Sequence, residues 1–254
     1  MAMYAEERRH ALVEHARTEG RLSVVDAAEL FGVTPETIRR DLEALDKAGL
    51  LRRVHGGAVP PELLALPERA LDTRQSEFAR EKERIAAAAL ALVPSSGTVL
   101  LDAGTTTARL AGLIPADNTA TVFTNSLPAA VVLAGRSAAQ VHMLGGRVRP
   151  LTHATVGNPE ALGSLRVDVA FLGTNGVSER HGLSTPDWDE AAVKRAMVQC
   201  ADKVVVLTDA SKLGVETTVK FADLDDVDVL VTDSGARRSH LKALSAHRIE
   251  VITA

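Results

Sequence analysis

An α/β protein is what this sequence predicts: a small N-terminal helical module carrying a β-ribbon, followed by a larger, mostly parallel α/β domain. Three observations carry the expectation. Short runs of β-branched residues and leucine recur through the C-terminal part, most of them separated by helix-like segments, the alternation of a parallel sheet covered by helices. Hydrophobic residues make up 46% of the 254 and aromatics only 3%, so the core is aliphatic, as in parallel sheets. The N-terminal segment, to about Val59, carries instead two capped helices about a glycine turn.

Residues 4–18 read as the first helix, with Leu12, Val13 and Ala16 among its apolar positions and Gly20 stopping it. Ser23-Val24-Val25-Asp26 opens a shorter helix with a capping-box-like pattern, filled by Ala27, Ala28, Leu30 and Phe31. Gly32-Val33 is a tight turn. Thr34 is then a good N-cap, and Pro35 suits the first helical position, where its missing N–H costs nothing. Ile38, Leu42 and Leu45 recur at i, i+4 and i+7 as a buried stripe, while Thr37, Arg39 and Arg40 lie on other faces, free to bond phosphates and base edges. This is the layout of a helix-turn-helix whose second helix enters the major groove. The same residues taken alone fit equally well a pair of packed helices with merely solvated arginines. Gly49 to Ala58 reads as a short β-ribbon with a glycine turn, a wing beside the helices.

Pro60-Pro61 breaks regular structure. Residues 60–76 mix leucines with charges and read as a linker that partly packs, which leaves 1–59 and 77–254 as the expected domains. Ser76 is placed to cap a helix from Glu77 to Leu92, with an Ala-rich centre and Pro94-Ser95-Ser96-Gly97 ending it. Strands are expected at Thr98–Leu101, Thr121–Thr124, Gln140–Leu144, Val167–Leu172, Lys203–Leu207, Val227–Val231 and Ile249–Ile252. Helices are expected at Thr106–Leu113, Pro128–Ala134 and Asp189–Ala201.

Ligands of open α/β sheets bind beyond the carboxyl ends of the strands, and polar residues of this chain fall there. Strand Thr98–Leu101 runs into Asp102-Ala103-Gly104-Thr105-Thr106-Thr107, which opens a helix; glycine, free N–H groups and hydroxyls at a helix start favour an anion such as phosphate. The pattern is neither the dinucleotide fingerprint nor a Walker A loop. Other strand ends add Thr124-Asn125-Ser126, Gly145-Gly146-Arg147, Gly173-Thr174-Asn175-Gly176 and Asp209-Ala210-Ser211-Lys212, where Lys212 is a mobile cation for a phosphate. Glu190 and Lys194 stand at i, i+4 on a helix that Asp189 helps start, a spacing that equally suits an ordinary surface ion pair.

Composition excludes several classes. No run of about 18 apolar residues exists, so no membrane span is expected. Met1 to Arg9 is charged and lacks an apolar signal region, so the expected location is the cytoplasm. The single cysteine, Cys200, permits no internal disulfide and reads as a buried small hydrophobe, with a reactive thiol the lesser alternative. Residues 1–57 hold nine Lys/Arg against ten Asp/Glu, yet Arg39 to Arg53 holds five basic residues against three acids. Weak non-specific DNA binding with a steep dependence on salt and oligomer state follows.

T-x-x-T-I-R-R-D-L followed by L-x-R-x-H-G-G-A closely resembles the winged helix-turn-helix of the DeoR family of bacterial transcriptional regulators, and the double motif is far more specific than either half. Further on, D-x-G-T-T, T-N, G-G, G-x-N-G-V, D-E-A-x-V-K-R-x-M and D-x-S-K resemble, in this order, the effector domain of the same family. The resemblance implies a sensor domain related to ribose-phosphate isomerases that binds a phosphorylated sugar, in a repressor of a sugar uptake or catabolic operon released from its operator by that metabolite. It implies DNA contacts from Ser23, Thr34, Pro35, Thr37, Arg39, Arg40, Arg53 and His55. It implies effector contacts from Asp102, Gly104, Thr105, Thr106, Thr124, Asn125, Gly145, Gly173, Asn175, Glu190, Lys194 and Lys212. Expected partners are double-stranded operator DNA, the sugar phosphate and further copies of the chain, as a dimer or tetramer, with no metal, no cofactor and no catalysis. The competing reading is a phosphosugar isomerase with an appended DNA-binding module, with Asp102 or Glu190 as base and Lys212 stabilising an enediolate.

Overall fold

The computed structural model describes residues 4–19, 22–54, 57–60 and 70–254. The chain forms two compact units, dividing between Pro67 and Glu68.

In the first unit α1 (Ala5–Glu19), β1 (Leu22–Ser23), α2 (Val24–Phe31) and α3 (Pro35–Lys47) precede a ribbon of β2 (Arg52–Val54) and β3 (Gly57–Val59). Thr34 caps α3 by accepting from the Thr37 N–H at 3.2 Å, and Pro35 occupies its first turn as expected. Gly32, at φ 61°, closes α2 in the left-handed conformation that glycine adopts freely. Ile38, Leu42 and Leu45 are buried against Leu12, Val13 and Ala16 of α1 and against Val24, Ala27 and Ala28 of α2. Leu30, expected to fill α2, is 59% exposed: it follows the buried Ala27 and Ala28 around the helix and faces away. The ribbon acquires a third strand that the sequence does not announce, β1, in the order β1-β3-β2. Gly57 makes that pairing possible, because a Cβ there would stand 2.0 Å from the Leu22 carbonyl oxygen. Gly20, the expected stop of α1, and the ribbon turn at 55–56 lie outside the described residues.

The second unit opens with α4 (Leu71–Ser76), inside the segment read as a linker, and α5 (Ala79–Leu90). Ser76 does not cap α5. It ends α4, its hydroxyl bonding back to the Asp72 and Thr73 carbonyls, and Phe78 at φ 51° stands at the N-terminus of α5. Then come β4 (Thr98–Leu101), α6 (Thr105–Leu113), β5 (Thr121–Thr124), α7 (Leu127–Ala134), β6 (Gln140–Met143), β7 (Arg147–Arg149), β8 (Ala154–Val156), β9 (Val169–Gly173), β10 (Gly176–Ser178) and β11 (Gly182–Thr185). The chain closes with α8 (Trp188–Gln199), β12 (Val204–Leu207), β13 (Val219–Ala222), β14 (Val229–Thr232), α9 (Arg238–Ala246) and β15 (Glu250–Thr253).

All seven expected strands are present and form one fully parallel sheet, β15-β14-β12-β9-β4-β5-β6. Alternate residues serve opposite faces. Val99, Leu101, Val169, Phe171, Val205, Leu207, Val229 and Val231 pack under α5, α6 and α7. Leu100, Ala170, Leu172, Val204, Val206 and Leu230 pack under α8, α9 and a small antiparallel sheet, β10-β11-β13. Each Val, Leu or Phe among them, fully removed from water, contributes about 1.5–3 kcal/mol of transfer free energy. From β4 the chain winds outward one way to β5 and β6, then returns to β9 on the other side and winds to β15. The reversal leaves a crevice beyond the carboxyl ends of β4 and β9, where open α/β sheets bind their ligands.

Candidate functional site

Two surfaces hold the residues singled out above, one in each unit. On the first, α3 buries Ile38, Leu42 and Leu45 and so presents Arg39 and Arg40 outward, their side chains 54% and 79% exposed. Among the described residues both reach only Glu36, at 3.2 and 3.9 Å, exposed pairs that cost little to exchange for phosphate. The Thr34 and Thr37 hydroxyls bond each other at 2.9 Å at the helix start. Ser23 is engaged as the cap of α2, accepting from the Asp26 N–H at 3.4 Å. Arg53 is exposed on the ribbon, and His55 lies outside the described residues. Asp41, which counts as an acid in the basic stretch, does not face solvent: it is buried and held by Arg8 at 2.6 Å and Arg9 at 2.9 Å. The exposed face of α3 is therefore more basic than the charge count implies.

The second surface is the crevice. Gly104 precedes α6 without any side-chain cap bond, so the first-turn N–H groups of Thr105, Thr106 and Thr107 carry the positive end of the helix into it. Lining it are Ala103, Gly104, Thr105, Thr106 and Thr107 from the β4 end, Gly173, Thr174 and Asn175 from the β9 end, and Thr208, Asp209 and Lys212 from the β12 end. Glu190 and Lys194 enter from α8, which Asp187, rather than Asp189, caps by accepting from the Glu190 N–H at 2.9 Å.

Glu190 and Lys194 are not a surface ion pair. Both are buried, and each has its own partner. Lys194 donates to the Asp102 carboxylate and, at 2.9 Å, to the Gly173 carbonyl, with the Phe221 ring 5.5 Å away. Glu190 accepts from Arg149 at 2.6 Å, Thr152 at 2.9 Å and Thr185 at 3.2 Å. Burial opposes its ionisation, but Lys194 and Arg149 outweigh burial and hold its carboxyl below the usual range. Asp102 goes the other way: burial pushes its carboxyl up, with Lys194 only partly restoring it, and Oδ1 has no hydrogen-bond partner among the described residues.

Some expected contacts are spent on the scaffold. Thr124 donates to the Leu101 carbonyl at 2.6 Å, and Asn125 accepts from the Ala103 N–H at 2.8 Å, so this strand end braces the loop before α6. Asn175 accepts from Thr185 at 3.1 Å, and Gly145 is exposed and does not line the crevice. Conversely, Arg74, Glu77, Phe78 and Lys82 form a wall that no strand-end rule indicates. Lys82 is buried and donates to the Arg74 and Glu77 carbonyls at 2.6 and 2.8 Å. Burial first, then the charges of Arg109, Arg74 and Lys212, lower its pKa to about 8 against the pull of Asp209. The Arg74 and Lys212 side chains have no hydrogen bond or ion pair among the described residues. The crevice thus holds Arg74, Lys82, Lys194 and Lys212 beside Glu77, Glu190 and Asp209.

The family descriptions agree with both surfaces: a DeoR-like helix-turn-helix domain matches residues 8–62, and a DeoR C terminal sensor domain matches residues 77–234. The HTH-type transcriptional regulator GlpR of Haloferax volcanii is 37% identical over 91% of this chain and 91% of its own length. The glycerol-3-phosphate regulon repressor of Escherichia coli K12 is 29% identical over 96% of this chain and 97% of its own. Among solved structures, ribose 5-phosphate isomerase A of Methanocaldococcus jannaschii covers 54% of this chain and 55% of its own, at 21% identity and a TM-score of 0.40, too distant to bear on activity. The chain belongs to the DeoR family of transcriptional regulators, with an N-terminal winged helix-turn-helix that binds DNA and a C-terminal α/β sensor domain. Both relatives are named as regulators, which favours the regulator reading over the isomerase one.

Proposed function

We propose that this regulator is a repressor of genes for the uptake or breakdown of a sugar or related polyol, released from its operator by a phosphorylated form of that compound. The observation that carries the reading is the uncapped start of α6 sharing the crevice with the buried Lys82 and with Arg74 and Lys212, whose side chains have no partner among the described residues, while of the carboxylates there Glu190 is paired with Arg149 and Asp209 is held by the Ser211 N–H. Oriented N–H groups plus mobile cations suit a phosphate dianion. Half-buried Asn175 and buried Glu190 in the crevice wall, both bonded to the Thr185 hydroxyl, suit the hydroxyls of a polyol. The relative named for a glycerol-3-phosphate regulon supports the same chemistry.

The test is a thermal-shift and calorimetric screen of sugar and polyol phosphates, each beside its unphosphorylated parent. A ligand that binds only the folded state adds about 2.7 kcal/mol at a hundredfold excess over its dissociation constant. The phosphorylated compound is expected to stabilise the protein and to lower its affinity for operator DNA, the parent to do neither. Lys212→Ala and Thr106→Val are expected to weaken that binding while leaving DNA binding intact. A screen in which no phosphate ester binds, or in which Lys212→Ala binds as the wild type does, overturns the phosphate reading.

A further inference from the structure

The crevice wall contributed by α4 sets this site apart from a simple phosphate cradle. Only Leu71 of α4 is buried, its Ala70 end has no side-chain cap bond, and Asp72, Thr73, Gln75 and Ser76 are exposed. Little apolar burial therefore holds it in place. Cations hold it instead. Lys82 of α5 donates to the Arg74 and Glu77 carbonyls, and Arg109 of α6 donates to the Gln75 carbonyl at 2.6 Å and to the Thr105 carbonyl at 2.9 Å. The C-terminal carbonyls of α4 are thus tied to the two helices that shape the anion pocket, an arrangement the helix dipole favours. Arg74 lines the crevice, half-buried, its guanidinium without a partner among the described residues, and its charge lowers the Lys82 pKa. Directly after α4, Phe78 takes a left-handed φ of 51°, a conformation that a bulky residue holds only where its surroundings impose it. In the chain, α4 is the first described element after residues 61–69, which lead from the DNA-binding unit.

Resting on the effector reading above, we propose that Arg74 is the residue through which a bound phosphate ester acts on α4, and that α4 is the element by which occupancy of the crevice changes DNA binding. The anion held by the start of α6 and by Lys212 recruits the Arg74 guanidinium. That contact fixes α4, and with it the beginning of the sensor domain, in one of two arrangements. Lys212, by contrast, comes from the β12 end and contributes affinity without bearing on α4. A ligand shifts an equilibrium only through contacts that differ between its states, and Arg74 supplies such a contact.

The experiment uses the full chain, the duplex that the wild type selects from a randomised DNA pool, and whichever of glucose 6-phosphate, fructose 1-phosphate and glycerol 3-phosphate binds most tightly. DNA affinity is measured without ligand and with ligand at a concentration shown by calorimetry to saturate each variant. The wild type is expected to change DNA affinity by a factor of about 5–150. Lys212→Ala should show weaker ligand binding but the same factor at saturation. Arg74→Ala should still bind the ligand, yet shift DNA affinity by less than about twofold, and its Leu71–Ser76 amides should lose the ligand-induced slowing of hydrogen exchange that the wild type shows. Arg74→Ala that binds ligand and keeps the wild-type factor overturns this inference alone. Arg74→Ala that fails to bind at all makes Arg74 an ordinary affinity contact and also overturns it. A wild type that binds none of the three, nor any other phosphate ester of the screen above, overturns the effector reading itself.

Discussion

Lys82 and Arg40 are single residues on which each half of the functional reading can be tested. For Lys82, burial, Arg109, Arg74 and Lys212 together bring the ammonium to about 8 from its ordinary 10.5. Below pH 8 the group is charged whether the chain is folded or not, and the burial cost is present in full. Between about 8 and 10.5 the folded protein releases the proton while the unfolded chain keeps it, so stability rises with pH across that window. A phosphate ester in the crevice favours the charged ammonium and raises its pKa again. Binding near pH 8–9 is therefore expected to take up a proton, seen as a buffer-dependent calorimetric enthalpy, and affinity is expected to fall as pH rises past about 8. The ester is already a dianion there, its second pKa being near 6, so the effect belongs to the protein. Lys82→Met should abolish it; a proton uptake that survives this change would assign the titration elsewhere. For Arg40, the exposed guanidinium is committed only to a loose contact with Glu36 at 3.9 Å. Arg40→Ala should leave folding unchanged and weaken operator binding by about 1–3 kcal/mol, as loss of a base or phosphate contact does. Equal affinity in a gel-shift titration at moderate salt would remove α3 from the DNA interface.

At the scale of elements, the orientation of α3 is set by polar as well as apolar contacts. Asp41 is buried between Arg8 and Arg9 of α1, and truncating it breaks a buried ion pair with Arg8 and a second pair with Arg9. Asp41→Ala is expected to destabilise the DNA-binding unit by about 3–5 kcal/mol. Amide exchange should accelerate throughout Ala5–Glu19 and Pro35–Lys47 while the sensor unit keeps its wild-type rates; unchanged exchange in α1 and α3 would show the clamp to be idle. The sequence does not disclose this clamp, because its partners stand 32 and 33 positions apart in no periodic relation. What was legible had a local cause. The seven parallel strands are aliphatic and β-branched runs between turn residues, and each was placed within two residues of its observed ends. The strands β7, β8, β10, β11 and β13 are not visible, because each is interrupted by a glycine, serine, threonine or charged residue, and some partners, such as Val219 opposite Thr185, lie far along the chain. The site divides in the same way. Asp102, Gly104, Thr105, Thr106, Gly173, Asn175 and Lys212 could be found because they sit just past strand ends. Arg74 and Lys82 could not, because nothing local distinguishes their helices from any charged surface. Glu190 and Lys194 were found by spacing, but their partners, Arg149 and Asp102, depend on tertiary packing.

At the scale of the whole molecule, charge and the size of the DNA-reading element point to assembly. The chain carries a net charge of −4, so it has no general attraction to DNA, and its basic face is confined to α3 and the ribbon. One recognition helix reaches only a few base edges, and a single copy is expected to bind weakly and with a shallow dependence on salt. Two copies joined symmetrically, the sensor domains holding them together, present two such helices to two half-sites. The second contact then forms within an already tethered complex, which raises affinity by about 10²–10⁴ without any new interaction. The selected operator should accordingly contain two symmetry-related half-sites centred about 10–10.5 base pairs apart or a multiple of that. Destroying one half-site should cost at least about a hundredfold in affinity, and light scattering at DNA-binding concentrations should give more than one chain per particle. On the proposed function, linkage requires the operator to weaken the sugar phosphate by the factor with which the sugar phosphate weakens the operator. Calorimetry of the ligand with and without saturating duplex measures that factor independently of the gel shift. A particle of one chain that binds a single half-site at full affinity would overturn the assembly.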